Sequence, residues 1–146
     1  MTGDTPRITA ITCVKDEGAF LIEWLAHHRG VGFTDFLIFS NDCSDGTEAM
    51  LDRLHKLGEI THSRNPGPHE GGVQFTAFKQ ADKHDLVKQS DWLMTLDVDE
   101  FVNIHVGDHT LNALFVALPE ADAITLTWRM FGNAGLRDFN DAPITE

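Results

Sequence analysis

Short apolar segments alternate with longer amphipathic ones along most of the chain. Runs rich in β-branched and apolar residues predict strands at 8–14, 36–39, 59–63 and 92–96. Apolar residues at helical spacing predict helices near 20–28, 50–57 and 75–84, and a further helix at 110–118 and strand at 123–128 follow. This alternation is typical of βαβ units. The sequence therefore predicts an α/β fold, Rossmann-like, with a mostly parallel sheet flanked by helices.

The most distinctive segment comes at the end of the predicted strand at 92–96, where an apolar run is followed by Asp97, Asp99 and Glu100. The run is typical of a buried central strand. In an extended strand Asp97 and Asp99 would lie on the same side and Val98 on the other. Two close carboxylates repel each other unless a cation lies between them, and a divalent ion bound to a phosphate would do this. The alternative is that these residues only form a solvated turn.

Polar residues also follow the first two predicted strands. Asp16 and Glu17 come after the first strand, and Asn41 and Asp42 begin the loop after the second. Open α/β sheets bind ligands at the carboxyl ends of their strands, so the three polar loops are expected to converge, with Asp97 near Asn41. The Asn- and Asp-rich loop could contact a base or ribose. Capping of the next helix explains the same residues without a ligand.

Composition narrows the classes of function. The net charge of −12 argues against nucleic acid as a partner. No apolar run reaches the length of a membrane span, and the N-terminus lacks the apolar core of a signal peptide, so we expect a soluble, cytoplasmic protein without a membrane span. Two cysteines are too few for a disulfide framework. Neither a phosphate-binding P-loop nor a dinucleotide-binding glycine motif occurs.

Several ordered blocks resemble a known family, the family 2-type glycosyltransferases. The blocks are Val-Lys-Asp-Glu-Gly at 14–18, Glu-Trp-Leu at 23–25 with His28, Asn-Asp-Cys-Ser-Asp-Gly-Thr at 41–47, and Leu-Asp-Val-Asp-Glu-Phe at 96–101. They are similar in particular to a bacterial subgroup with an Asp-x-Asp-Glu-Phe signature. Residues 128–135 resemble the next block of that subgroup. The set covers nearly the whole chain in the expected order.

The resemblance implies a GT-A fold that transfers a sugar from a nucleotide-diphosphate sugar to an acceptor, with Mn²⁺ or Mg²⁺ as cofactor. Asp99 would be the main metal ligand, and Asp97 would contact the metal or the ribose. The residues that would line the nucleotide pocket are Asp16, Glu17, Asn41 and Asp42. The resemblance leaves the acceptor open, whether a glycan, a lipid or a small molecule.

The catalytic base is not identified by the sequence. Enzymes of this type continue well past this length, and the available acidic residues downstream are Asp138 and Asp141. Residues 137–146 predict no terminal helix or strand. We therefore expect residues 1–146 to be a single nucleotide-sugar-binding domain that is truncated at its C-terminus.

Two other classes of function are consistent with parts of the pattern. A nucleotide-binding or interaction domain without catalysis would need no base. A haloacid-dehalogenase-like phosphatase also has an Asp-x-Asp motif after a strand, but Phe101 stands where that motif has Thr or Val. The aromatic and histidine residues at 24, 27 and 28 are interpreted as core or helix-end residues rather than ligands.

Overall fold

In the part of the chain that the structure describes, the sheet contains four parallel strands. A computed structural model describes residues 5–145. The strands are β1 (Ile8–Val14), β2 (Asp35–Ser40), β3 (Thr61–Arg64) and β4 (Trp92–Thr95), in the spatial order β3-β2-β1-β4. All three pairings are parallel, and β4 lies beside β1 as the sequence predicts. The α/β class with a parallel sheet is confirmed.

Within residues 5–145, five helices connect and cover these strands. They are α1 (Gly18–Val31), α2 (Thr47–Lys56), α3 (Val73–Ala81), α4 (Asp85–Lys88) and α5 (Leu111–Ala117). Helices α1 and α2 each join two neighbouring strands, and α3 and α4 together join β3 to β4. Across residues 5–145, none of the helices has the length and apolar character needed to cross a membrane.

The sheet has an apolar core on each face. The larger core packs α1, α2 and α5 against one face, with Trp24 and Leu51 fully buried in it. The smaller core packs Ala77 and Ala81 of α3 against Ile11 and Leu37 on the other face. Because β1 is covered on both sides, six of its seven residues are buried, as is typical of an inner parallel strand.

Glycine occupies both ends of α1. Gly18 donates its N–H to the Thr47 hydroxyl at 2.8 Å, and a Cβ at this position would lie only 3.1 Å from the same oxygen. This close approach joins the first turn of α1 to the first turn of α2. Gly32 ends α1 with a φ of 119°, a left-handed conformation that glycine adopts without steric cost.

Two expectations for the second half of the chain are wrong. The strand before Asp97 was expected to be central and buried, but β4 lies at the edge of the sheet and its residues alternate between half-buried and exposed. Residues 123–128 form no strand, and Trp128 is exposed. Their alternating apolar pattern is compatible with a strand, but a strand also needs a hydrogen-bonded neighbour, and this segment pairs with none of the four strands described.

His28 is a core residue that must be neutral. Its Nδ1–H donates to the Trp24 carbonyl at 2.8 Å, and its Nε2 accepts the N–H of Val102 at 3.3 Å. A carbonyl can only accept and an amide N–H can only donate, so these contacts define the tautomer. Burial lowers the pKa of His28 to about 4. The interpretation of this residue as structural rather than ligand-binding agrees with these contacts.

We predict that His28 makes folding sensitive to mild acid. Its folded pKa of about 4 lies below the unfolded value of roughly 6.5, so the unfolded state binds the proton more tightly. The contribution of neutral His28 to the free energy of unfolding is complete above about pH 6.5 and decreases as the pH falls toward 4. Between pH 7.5 and 5, wild type should lose about 2 kcal/mol more than His28→Gln in urea unfolding. The same change in the free energy of unfolding with pH in both proteins would contradict this.

Candidate functional site

A cleft of about 530 Å³ opens at the carboxyl edge of the sheet. The loops after β1 and β4 meet there, because the strands are parallel neighbours. Its lining combines three carboxylates with one lysine and several apolar groups: Cys13, Lys15, Glu17, Phe20, Gln74, Asp97, Val98, Asp99 and Ile144. Three of the predicted site residues, Glu17, Asp97 and Asp99, are therefore brought together in one acidic cleft.

The two aspartates lie on a turn and not on an extended strand. Strand β4 ends at Thr95, and the Glu100 N–H donates to the Asp97 carbonyl at 3.0 Å, which closes a turn over residues 97–100. The Glu100 carboxylate in turn accepts the Asp97 N–H at 3.0 Å. Val98 is buried and both aspartates are exposed. The expected separation of Val98 from the aspartates holds, but a turn produces it.

Helix α1 holds the backbone of this acidic turn. The indole N–H of Trp24 donates to the carbonyls of Asp97 and Glu100, each at 3.0 Å. Just beyond the turn, the Val102 carbonyl accepts the Nε2–H of His27 at 2.8 Å, while the Val102 N–H donates to His28. The Trp-x-x-His-His spacing of α1 therefore places three side chains where they form hydrogen bonds with the backbone of residues 97–102. It ties the carboxylate-bearing turn to the larger core.

The cleft is electrostatically unfavourable without a cation. Burial raises the pKa of the Glu17 carboxyl, and the charges of Asp99 and then Asp97 raise it further. The three carboxylates are like charges in one cleft and repel one another. Lys15 is the basic side chain in the lining. A bound cation would favour the ionised form of Glu17, so cation binding and the loss of the Glu17 proton would be coupled.

Asp16 connects the first polar loop to the second. Its Oδ1 accepts the backbone N–H of Ser44 at 2.6 Å and that of Asp45 at 3.3 Å. Asp16 also has a φ of 55°, in the left-handed region that aspartate tolerates better than most residues. The structure thus gives Asp16 a role in joining the loops, and its contact with a nucleotide stays a prediction.

Asn41 and Asp42 lie at the end of β2, outside the lining of the acidic cleft. Asn41 is only 6% exposed, and its N–H donates to the Val14 carbonyl at 2.9 Å. Within residues 5–145 its side-chain oxygen is buried and has no hydrogen-bond partner. Asp42 is exposed and has a φ of 46°. Their role in nucleotide binding stays a prediction.

Sequence reasoning missed two parts of the cleft. Gln74 of α3 donates its side-chain N–H to Asp97 Oδ1 at 3.1 Å, which orients that carboxylate. Ile144 reaches the cleft from a segment far along the chain. A glutamine in an amphipathic helix and an isoleucine in a segment without a repeating pattern carry no local signal of a site. Only the three-dimensional arrangement identifies them.

The carboxylate oxygens of the cleft fit a hard divalent cation that also has ligands from outside the protein. Nowhere in the described part of the chain do three His, Cys, Asp or Glu side chains form a ready metal site. Asp97 and Asp99 supply carboxylate oxygens, the ligands that Mg²⁺ and Mn²⁺ prefer. Mg²⁺ is commonly held by one or two carboxylates together with substrate phosphates and water. The two aspartates therefore suit a cation that arrives with a phosphate.

Fold and site together define an α/β protein with an acidic ligand cleft at the carboxyl edge of a parallel sheet. The structure is similar to the crystal structure of S. aureus TarS, with a TM-score of 0.55 and 12% identity, covering 78% of this chain and 20% of that chain. At this identity the likeness shows the fold alone. The sequence model of glycosyltransferase family 92 matches residues 10–145. The chain belongs to glycosyltransferase family 92.

Curated relatives agree with this assignment. A glycosyltransferase family 92 protein of Ricinus communis is 24% identical over 144 residues, which are 89% of this chain and 24% of the relative. Another from Oryza sativa subsp. japonica is 23% identical over 130 residues, 85% of this chain and 21% of the relative. The chain thus spans less than a quarter of the length of these relatives. Membership of a glycosyltransferase family and the GT-A-like fold are confirmed, whereas the resemblance to the family 2 type and its bacterial subgroup stays a prediction.

We predict that Trp24→Phe loosens the acidic turn. Phenylalanine retains most of the buried aromatic surface but has no N–H for the Asp97 and Glu100 carbonyls. Backbone hydrogen exchange at Glu100 and Val102 should become faster, and stability should fall by about 1 kcal/mol or more. Trp92→Phe is the matched control, because Trp92 stacks on Phe115 and makes none of these contacts. Equal exchange at the turn in both variants would contradict the proposed restraint.

Proposed function

We propose that this domain binds the donor of a glycosyl-transfer reaction, a nucleotide-diphosphate sugar, together with Mn²⁺ or Mg²⁺. The observation that carries the proposal is the convergence of Glu17, Asp97 and Asp99 in one cleft at the carboxyl edge of the sheet. Family membership supports the class of reaction. This chain spans only a short portion of the length of its relatives. The proposal therefore includes the activity of the whole protein as well as its sugar and its acceptor.

Asp99 would be the main metal ligand, and Asp97 would share the metal or contact the ribose. When bound, the cation supplies Lewis-acid stabilisation of the diphosphate leaving group. Asp97 is held in place by Gln74, whose N–H occupies one oxygen and leaves the other available. Lys15 lines the same cleft and adds a positive charge for a phosphate. These roles explain how a chain with a net charge of −12 would bind an anionic donor.

The nucleoside would lie toward the loops after β1 and β2. Glu17 lines the cleft, and Asp16 fixes the second loop through Ser44. Asn41 has a buried side-chain oxygen that lacks a donor within the described chain, which a ligand N–H or hydroxyl would supply. Asp42 is exposed beside it. This arrangement supports the nucleotide pocket that the sequence motifs indicate.

An inverting displacement would also require a base that deprotonates the acceptor hydroxyl as it attacks the sugar. Asp138 and Asp141 are exposed and lie outside the cleft lining, so neither is assigned this role. Nucleotide binding without catalysis by this portion is therefore the second candidate function. The phosphatase alternative loses its support, because the chain belongs to a glycosyltransferase family. Cytoplasmic location stays a prediction.

We predict that Asp99→Ala abolishes metal-dependent nucleotide binding and leaves the fold intact. Asp99 is exposed, and removing one of several like charges relieves repulsion, so the melting temperature should be unchanged or slightly higher. Calorimetric titration of UDP and GDP with Mn²⁺ should show binding to wild type and none to the variant. Asp97→Ala should weaken binding less.

Asp122→Ala is the matched control, since it removes an exposed carboxylate outside the cleft. It should bind as wild type does. Equal Mn²⁺-dependent affinity in wild type and Asp99→Ala would rule out the metal role. Absence of UDP and GDP binding by wild type would contradict donor binding of these nucleotides by this domain.

A further inference from the structure

The carboxylate of Glu23 binds a distant segment of the chain. Its Oε2 accepts the Ile144 N–H at 2.9 Å, and its Oε1 accepts both the N–H and the hydroxyl of Thr145 at 2.8 Å. Glu23 lies on α1, one residue before Trp24. Three donors thus converge on the two oxygens of one side chain. They join positions more than 120 residues apart in sequence.

This contact brings Ile144 to the acidic cleft. Ile144 lines the cleft together with Lys15, Glu17 and Asp99. From the end of α5 to residue 145, the described chain has no helix or strand, and most of its side chains are exposed. The contact with Glu23 is therefore the polar anchor that explains why this part of the chain lies beside the cleft.

We propose that Glu23 is a positioning residue that holds residues 143–145 in place so that Ile144 forms an apolar wall of the acidic cleft. The wall would exclude water from one side of the site. Charges separated from water interact more strongly, so the wall would strengthen the interaction of the carboxylates with a cation. The functional meaning of the wall rests on the proposed donor site, but the contact itself does not.

The chemistry of the contact requires an ionised carboxylate. Both oxygens of Glu23 accept from donors, and an ionised carboxylate is acceptor-only. The hydrogen bond from the Ile144 N–H is the main cause that lowers the pKa of Glu23. Glutamine at this position would turn one acceptor into an N–H₂ group that faces a donor. Glu23→Gln therefore removes the contact with almost no change in size.

Cys13 provides a measure of the wall that needs no nucleotide. Its half-buried thiol lines the same cleft as Ile144, and burial raises its pKa, so alkylation should be slow. In a Cys43→Ser background, Cys13 is the single thiol of the chain. The rate of its reaction with iodoacetamide at one fixed pH therefore reports how often the wall opens.

Glu23→Gln should increase the rate of Cys13 alkylation roughly threefold to tenfold, the range expected from losing exposed, charge-assisted hydrogen bonds. Amide exchange at Ile144 and Thr145 should be slowed in the parent protein and fast in the variant. Thr145→Val removes one of the three donors and should have a smaller effect in the same direction. Glu120→Gln changes the charge equally at an exposed site and should leave the rate unchanged.

Equal alkylation rates in Glu23→Gln and Glu120→Gln, with equal melting temperatures, would overturn the proposal. If Glu23→Gln does not fold, unprotected amides at Ile144 and Thr145 in the parent protein would overturn it instead. Failure of the donor proposal gives a different result. In that case UDP and GDP would not bind with Mn²⁺, while the difference in alkylation would remain.

Discussion

The geometry of the site depends on one buried hydrogen-bond donor, the indole N–H of Trp24. This group contacts the carbonyls of Asp97 and Glu100, while the rest of the side chain is fully buried in the larger core. The acidic turn is exposed and carries like charges, so an isolated turn of this sequence would not be held in one conformation. Its attachment to α1 gives it the rigidity of the core. His27 and His28 extend the same attachment to Val102, and Glu23 on the same helix accepts the N–H groups of Ile144 and Thr145.

Side chains of α1 therefore contact several of the segments that form the cleft. The carboxylates in the cleft are like charges that repel one another. Glu17 is the clearest sign, because burial and the two aspartates raise its pKa. Such an arrangement is poorly suited to an empty surface and well suited to a cation that arrives with phosphate oxygens. The protein would then have little affinity for the free anion and more for the complex of metal and nucleotide. Under the proposed function, glycosyl transfer is the reaction in which this coupling would be useful.

The main elements could be predicted because they follow from local patterns. Strand β1 has the predicted limits, and the aspartates lie at the end of β4 beside it. The edge position of β4 could not be predicted, since it depends on which strands pair. The turn at Asp97 likewise depends on contacts with Trp24. Gln74 and Ile144 reach the cleft only through the packing of α3 and the anchor at Glu23, so no pattern near them in sequence marks them.

Paramagnetic broadening by Mn²⁺ tests the central claim most directly, because Mn²⁺ broadens NMR signals only in its neighbourhood. Substoichiometric Mn²⁺ would be added to the ¹⁵N-labelled domain with UDP or GDP, and the amide signals followed residue by residue. The account predicts broadening of residues 97–100 and of Lys15 and Glu17, with Ile144 affected and α4 untouched. Broadening confined to acidic residues away from the cleft, such as Asp138 and Asp141, would contradict it.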